Sequence, residues 1–133
     1  MEKTNIEYFN YYLKLFIINI MDIFPEFKEI LENYYEELIK NETCNNDKYV
    51  KRFMFKLKNS KKQISDKDDA LFSESIYILK NVDFSKLWAS DELSTINKEK
   101  IWEYIQTLYI LGESIVSDSN KIQSLLENFK NLK

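Results

Sequence analysis

The sequence of 133 residues contains no histidine, one cysteine, one glycine and one proline. Without histidine there is no imidazole base, no Ser–His or Cys–His nucleophile pair and no histidine metal ligand. Cys44 alone can form neither an internal disulfide nor a thiolate zinc site. Gly112 alone cannot build a glycine-rich phosphate loop or a dinucleotide-binding turn. We therefore expect no enzymatic activity, no cofactor, no bound metal and no small-molecule substrate.

The scarcity of turn residues also restricts the fold. All-β architectures need many tight turns, for which glycine and proline are the usual residues. The hydrophobic fraction of 44% is close to the average of globular proteins, and the length fits one domain. Apolar residues recur at helical spacing in several stretches. We predict a single all-α domain over residues 1–133, a compact bundle of five to six helices.

The first two predicted helices have clear start and stop signals. Thr4 and Glu7 have the spacing of a capping box, and the helix that follows them runs to about Asp22. Pro25 ends this helix or opens the second one, which runs to about Asn41. A third helix is predicted from about position 48, with Val50, Phe53, Met54 and Leu57 facing inward.

The second half of the chain is less regular. Residues 59–69 are polar and lysine-rich and are predicted to form a mobile linker. Residues 71–94 are predicted to be irregular; within them, 76–79 could be strand or helix, and 83–88 is a capped turn or short helix. A strong helix runs from about 94 to Gly112, which marks a break or a close helix approach. A last helix from about 119 is predicted to bury Ile122, Leu125, Leu126 and Phe129.

The most apolar stretch, residues 8–24, is interrupted by Asn10, Lys14, Asn19 and Asp22. A membrane-spanning helix needs about 20 mostly apolar residues, so we interpret this stretch as a core helix and expect no membrane association. The first residues lack the pattern of a secretory signal. A lone cysteine is typical of a reducing compartment. These features predict a cytoplasmic protein.

Charge is unevenly distributed. The net charge is −3, but residues 48–67 carry eight cationic side chains and one anionic, so that window is +7 and the rest of the chain −10. Two interpretations stay open: a solvated helix face, or a nucleic-acid-binding module with Tyr49 or Phe55 stacking on a base. The single arginine disfavours specific reading of guanine. The candidate phosphate contacts are Lys48, Lys51, Arg52, Lys56, Lys58, Lys61 and Lys62.

Carboxylates cluster in three places. Asp66, Asp68 and Asp69 could bind a hard cation such as Mg²⁺ or lie at a helix N-terminus, and we favour the second interpretation. The pairs Glu36–Glu37 and Glu99–Glu103 are interpreted as exposed helix residues.

Aromatic residues make up 15% of the chain, including nine Tyr, nine Phe and two Trp. Adjacent pairs on a helix cannot both point inward, so one member of each pair is expected outside or at the boundary. Exposed tyrosine is a common anchor of protein interfaces. We therefore predict protein–protein interaction, or self-association as a homodimer, through a surface on the first two helices formed by Tyr8, Tyr11, Tyr12, Tyr34 and Tyr35.

Three segments taken together suggest a family: Phe24–Phe27, Val82–Trp88 and Ile101–Leu108. Their order resembles small, uncharacterised helical proteins of nucleocytoplasmic large DNA viruses, the relatives of mimiviruses and phycodnaviruses. The resemblance implies a viral accessory protein, a helical fold and a location in the cytoplasm of an infected host cell. It implies no activity, and its shared residues are mostly aromatic and apolar.

Overall fold

The computed structural model describes residues 3–131 and shows an all-α fold, which confirms the predicted class. Two short 3-10 helices, Pro25–Phe27 and Asp69–Phe72, lie between the α-helices, and no strand occurs in the described range. The α-helices are α1 (Asn5–Ile23), α2 (Lys28–Tyr34), α3 (Glu36–Lys40), α4 (Lys48–Lys56), α5 (Lys61–Ser65), α6 (Phe84–Trp88) and α7 (Thr95–Asn131).

The core lies mainly between α1 and the first half of α7. Helix α1 begins at the predicted capping box: the Glu7 N–H donates to Thr4 Oγ1 over 3.2 Å, and the Thr4 N–H donates to Glu7 Oε1 over 3.3 Å. Phe16 of α1 stacks on Tyr104 of α7 with 5.4 Å between ring centroids. The fully buried residues of the two helices are Phe9, Phe16, Ile17, Ile20, Ile101, Ile105 and Leu108.

The predicted second helix is divided into three pieces. Pro25 opens a 3-10 turn, as its missing N–H allows, and the chain breaks again at Tyr35, where φ is −104° and ψ is 27°. The break turns the Tyr35 ring into the core. Helical periodicity continues across this point, so the sequence gives no sign of the interruption.

The two helices predicted after position 94 are one helix of 37 residues. Gly112 does not break it. A methyl group at Gly112 would overlap the Met54 side chain of α4, so the glycine permits the close approach of α4 to α7. Of the two interpretations of Gly112, the structure confirms this one.

The segment 59–69, for which the sequence predicts a mobile linker, contains a short helix and packs on α7. Helix α5 occupies its middle, and Ile64 is buried. Gln106 of α7 donates to the Ile64 carbonyl over 3.0 Å, and Lys61 forms an ion pair with Glu113 over 2.9 Å. Within this lysine-rich segment, the apolar residue Ile64 is buried, and its carbonyl accepts a hydrogen bond from α7.

The irregular region 71–94 is held by an aromatic cluster and by one aspartate. Phe72 stacks on Trp88 at 4.1 Å and lies 5.1 Å from Trp102. Residues 76–79 are neither helix nor strand; their one sheet-like contact is an isolated bridge from Leu79 to Val82.

Asp83 caps α6 and fixes the loop before it. One carboxylate oxygen accepts from the Ser85 N–H at 3.0 Å, the Ser85 hydroxyl at 2.8 Å and the Ile76 N–H at 3.2 Å. Burial alone raises the pKa of Asp83, but hydrogen bonds from Ser85, Ser75 and Ile76 outweigh it and leave the pKa below its ordinary value. The predicted capped helix over 83–88 is confirmed.

One further prediction is tested by the burial of side chains. Leu125 and Leu126 are exposed, so the prediction that the last helix buries them is wrong, while Ile122 and Phe129 lie outside the side chains described. Across residues 3–131, no helix has the length and apolarity of a membrane span.

We predict that Gly112→Ala destabilises the protein by up to about 2 kcal/mol, because overpacking against Met54 exceeds the gain in helix propensity. In a Met54→Ala background the same substitution is expected to stabilise by about 1 kcal/mol. Urea denaturation of the four proteins of this cycle measures the coupling. Equal effects of Gly112→Ala in both backgrounds would contradict the close approach.

Candidate functional site

The five tyrosines of the predicted interaction surface have different environments. Tyr8, Tyr11 and Tyr34 are exposed, Tyr12 is half-buried and Tyr35 is buried, with 5% of its surface accessible. One member of each adjacent pair therefore faces outward, as expected. The buried member, Tyr35, is corrected from a partner contact to a core residue.

Tyr35 is held by its ring and by its hydroxyl. Its ring meets Tyr34 edge-on at 4.8 Å, and its hydroxyl accepts the Lys80 N–H over 3.1 Å. Burial raises the pKa of Tyr35 to about 12. The hydroxyl thus joins the break after α2 to the turn at Lys80, 45 residues later.

The exposed tyrosines form two separate groups and not one surface. Tyr11 packs edge-on against Tyr12 at 5.6 Å, with the Lys3 ammonium 4.2 Å from its ring. Tyr34 is next to the cations of α4 and the Lys80 turn. No aromatic contact links the two groups within the described residues.

Three of the seven candidate phosphate-binding cations have acidic partners. Lys48 is 3.4 Å from Glu37, Lys51 is 3.0 Å from Asp47 and Lys61 pairs with Glu113. These contacts support the solvated-face interpretation for those three lysines. Arg52, Lys56, Lys58 and Lys62 have no carboxylate within ion-pair distance among residues 3–131.

One of the unpaired cations, Arg52, contacts Tyr34, and Lys80 approaches the same ring from elsewhere in the chain. Arg52 Nη1 donates to the Tyr34 hydroxyl over 2.6 Å, and the Lys80 ammonium is 5.3 Å from the Tyr34 ring centroid. Lys56 follows Arg52 by one helical turn. We call Arg52, Lys56 and Lys80, with Tyr34 between them, the Tyr34 cluster.

The pKa of Lys56 shows how closely these cations lie. Partial burial lowers it first, and the positive charges of Lys80 and Arg52 lower it further. A cleft of about 20 Å³, lined in part by Tyr34, Arg52 and Lys56, opens at the same place. Arg52 and Lys80 therefore lie at the Tyr34 ring, and the like charge of Lys56 is close to both.

Lys80 lies 24 residues after Lys56, outside the basic segment 48–67, so the charge pattern of the sequence does not include it. The turn Leu79–Val82 presents it, and Asn81 adopts a φ of 59° there, a left-handed conformation that asparagine tolerates. An isolated Lys-Asn pair before a capped helix is a weak signal of such a turn. It gives no indication of the element on which the turn packs.

Several of the acidic candidates have structural partners. Asp68 caps the following turn by accepting the Ala70 N–H, and Asp69 accepts the Trp102 Nε1–H over 3.2 Å. Glu37 accepts from the Tyr49 hydroxyl over 3.0 Å, and this bond lowers the pKa of Glu37 against the opposing effect of burial. No group of three or more potential metal ligands is found in the described part of the chain.

The second half of α7 forms a further candidate surface. We call residues 116–131 the arm. Every arm side chain that the structure describes is exposed, including Leu125 at 58% and Leu126 at 53%. A groove of about 790 Å³ between the arm, Met54 and Tyr109 lies on one side. A second groove, of about 490 Å³ and lined by Ile6, Val50 and Ile115 among others, lies beside α1 and α4.

Comparisons of the chain with protein-family models, with curated proteins and with solved structures find no match. The geometry of the arm and of the Tyr34 cluster is therefore the basis for the functional argument.

We predict that Tyr35→Phe destabilises the fold by about 1 kcal/mol, because the Lys80 N–H loses its acceptor. Tyr11→Phe, a matched change at an exposed ring, is expected to alter stability by less than about 0.5 kcal/mol. Urea denaturation at neutral pH measures both. Equal stability of the two variants would contradict the structural role of the Tyr35 hydroxyl.

Ionisation of the Tyr35 hydroxyl makes the stability of the fold depend on pH in the alkaline range. The pKa of Tyr35 is higher in the folded than in the unfolded chain. The contribution of the neutral hydroxyl to the free energy of unfolding is therefore complete below about pH 10 and is lost as the pH rises towards 12. The stability difference between the wild type and Tyr35→Phe should therefore narrow over that interval.

Proposed function

We propose that the protein is a non-enzymatic binding protein that works by self-association through the arm of α7. The observation that carries the proposal is the exposure of Leu125 and Leu126. Both lie on the part of α7 that continues beyond the buried residues of this helix. The prediction of protein–protein contact is kept, but its location moves from the tyrosines of the first two helices to the end of α7.

The length of α7 supports this proposal. A helix of 37 residues is about 55 Å long, and its buried residues end near Tyr109. Helices gain most of their stability from packing an apolar face, and isolated short helices are marginal in water. A helical end with two exposed leucines is stabilised when a partner covers them.

The grooves beside the arm indicate where such a partner packs. Ile115 and Val116 line the groove next to Val50, and Val116 also lines the groove next to Met54. Both grooves are lined by apolar and polar side chains together, a mixture that protein interfaces also show. An apolar side chain on a second helix would fill either one.

The charge pattern favours a second copy of the chain as the occupant. Two arms that pack antiparallel about an axis between 118 and 121 place Asp118 of each copy opposite Lys121 of the other. The same register places Leu125 of each copy near Ile115 of the other. Each contact then occurs twice, as an isologous two-fold interface requires.

We also propose that the protein has no catalytic activity, and the environment of Cys44 supports this. Burial raises the pKa of the Cys44 thiol, which reduces its thiolate fraction at neutral pH. The resemblance to proteins of large DNA viruses supports a role as a viral accessory protein in the cytoplasm of an infected cell. The proposed dimer does not depend on that origin.

We predict that Leu125→Glu weakens dimerisation by about tenfold or more, because a carboxylate would enter the apolar contact. Sedimentation of the purified chain over a range of concentrations measures the dimer, which should show little dependence on salt. Circular dichroism checks that the variant keeps its helices.

Ile96→Glu is the matched control, since Ile96 is exposed at the opposite end of α7. This variant should dimerise like the wild type. A wild-type chain that stays monomeric at micromolar concentrations, or a dimer unaffected by Leu125→Glu, would contradict the proposal. Association with a different protein in place of a second copy would contradict the choice of occupant.

A further inference from the structure

We propose that the Tyr34 cluster binds a backbone phosphate of a single-stranded nucleic acid, with Phe55 stacking on the neighbouring base. The site combines Arg52 and Lys56 of α4 with Lys80 of a distant turn. It is separate from the arm, and the inference holds whether the chain is a monomer or a dimer.

Arg52 is held in position, and most of its donors have no partner among the described residues. Arginine has five N–H donors, and Arg52 uses one of them to hold the Tyr34 hydroxyl at 2.6 Å. This bond fixes the guanidinium and leaves its other donors for an anion. Arginine pairs with two oxygens of a phosphate at once, and lysine adds a point charge.

The cations of the Tyr34 cluster repel one another. Lys56 and Lys80 have no carboxylate within 4 Å anywhere in residues 3–131, unlike Lys48, Lys51 and Lys61 on the same basic segment. Three uncompensated like charges destabilise one another, and an anion between them relieves that cost. A phosphate dianion or a backbone phosphodiester has the required sign and oxygens.

Two hydrogen bonds fix the backbone around Lys80. The Lys80 N–H is bound by the Tyr35 hydroxyl, and its turn is closed by the Val82 N–H donating to the Leu79 carbonyl over 3.2 Å. These bonds hold the backbone at Lys80 against Tyr35, at the break after α2, and leave the Lys80 side chain to reach towards Tyr34.

Phe55 distinguishes a nucleic acid from other phosphorylated ligands. Its ring is 69% exposed on α4, and the Lys58 ammonium is 4.4 Å from its centroid. Residues three apart on a helix are neighbours, so Phe55 lies next to Arg52. An exposed ring beside a phosphate site is the pattern of stacking platforms for unpaired bases.

The strand is expected to be single. Phe55 can stack only on a base that is free of its own neighbours, which a duplex does not offer. Arg52 is the one arginine of the chain, which disfavours reading of guanine edges in a duplex groove. Binding should therefore be strong for an unpaired strand and nearly independent of its sequence.

The test is fluorescence anisotropy with labelled oligothymidylate and the full-length protein. We expect affinity to fall as salt rises, because phosphate binding releases counterions. Lys80→Glu should weaken binding about tenfold and lower the salt slope by about 0.7 per lost phosphate contact. This variant keeps the Lys80 N–H and thus its bond to Tyr35.

Lys86→Glu is the matched control, because Lys86 is an exposed lysine of α6 with the same change of charge. It should bind like the wild type apart from a small uniform loss. Phe55→Ala should weaken binding about fivefold or more, whereas Ile96→Ala, at another exposed apolar side chain, should not.

Three results would overturn the inference. The first is no binding of oligothymidylate at low salt. The second is an equal loss of affinity in Lys80→Glu and Lys86→Glu, which would indicate net charge alone. The third is a phosphoserine peptide or inorganic phosphate that binds the cluster while the oligonucleotide does not. A loss specific to Lys80→Glu and Phe55→Ala supports the inference.

Discussion

The packing of α1 against the first half of α7 organises the molecule. The two helices contribute fully buried apolar side chains from Phe9 to Ile20 on α1 and from Ile101 to Leu108 on α7. Apolar burial of this kind is the largest favourable contribution to folding. The other elements, α4, α5 and the aromatic cluster around Phe72, attach to this pair.

That pairing also determines what is left exposed. Helix α1 has 19 residues and α7 has 37, so α1 covers about half of its partner. Gly112 lies where the covered half of α7 ends, and it brings Met54 of α4 against the helix there. Beyond that point no described element packs over the arm. The unequal lengths of two helices thus create the candidate surface for self-association.

The sequence predicted those features that depend on local chemistry. The capping box at Thr4, the helix from Thr95 and the cap at Asp83 are encoded within four residues each, and the structure confirms all three. Features that depend on distant contacts were missed. Tyr35 is buried, and its hydroxyl accepts the N–H of Lys80, which is 45 residues away in the sequence. The segment 59–69 is attached to α7 by a hydrogen bond between residues 42 positions apart, from Gln106 to the Ile64 carbonyl.

The same limit applies to the candidate sites. Charge counting found the basic segment, but it could not separate the lysines that Glu37, Asp47 and Glu113 neutralise from those that stay free. It also could not include Lys80, which a turn brings to Tyr34. A phosphate site needs convergence of charges, and convergence is a property of the tertiary fold.

Helix α4 contributes to both proposed surfaces. Val50 and Met54, one turn apart, line the grooves beside the arm. Arg52 and Lys56, also one turn apart, point about 200° away around the helix and belong to the Tyr34 cluster. The phosphate-binding side chains therefore point away from the arm, whereas Lys58, which lies over the Phe55 ring, lines one of the two grooves. Two identical sites on one particle raise the effective concentration of a strand that reaches both, so the dimer would hold a long strand more tightly than a short one without any additional contact.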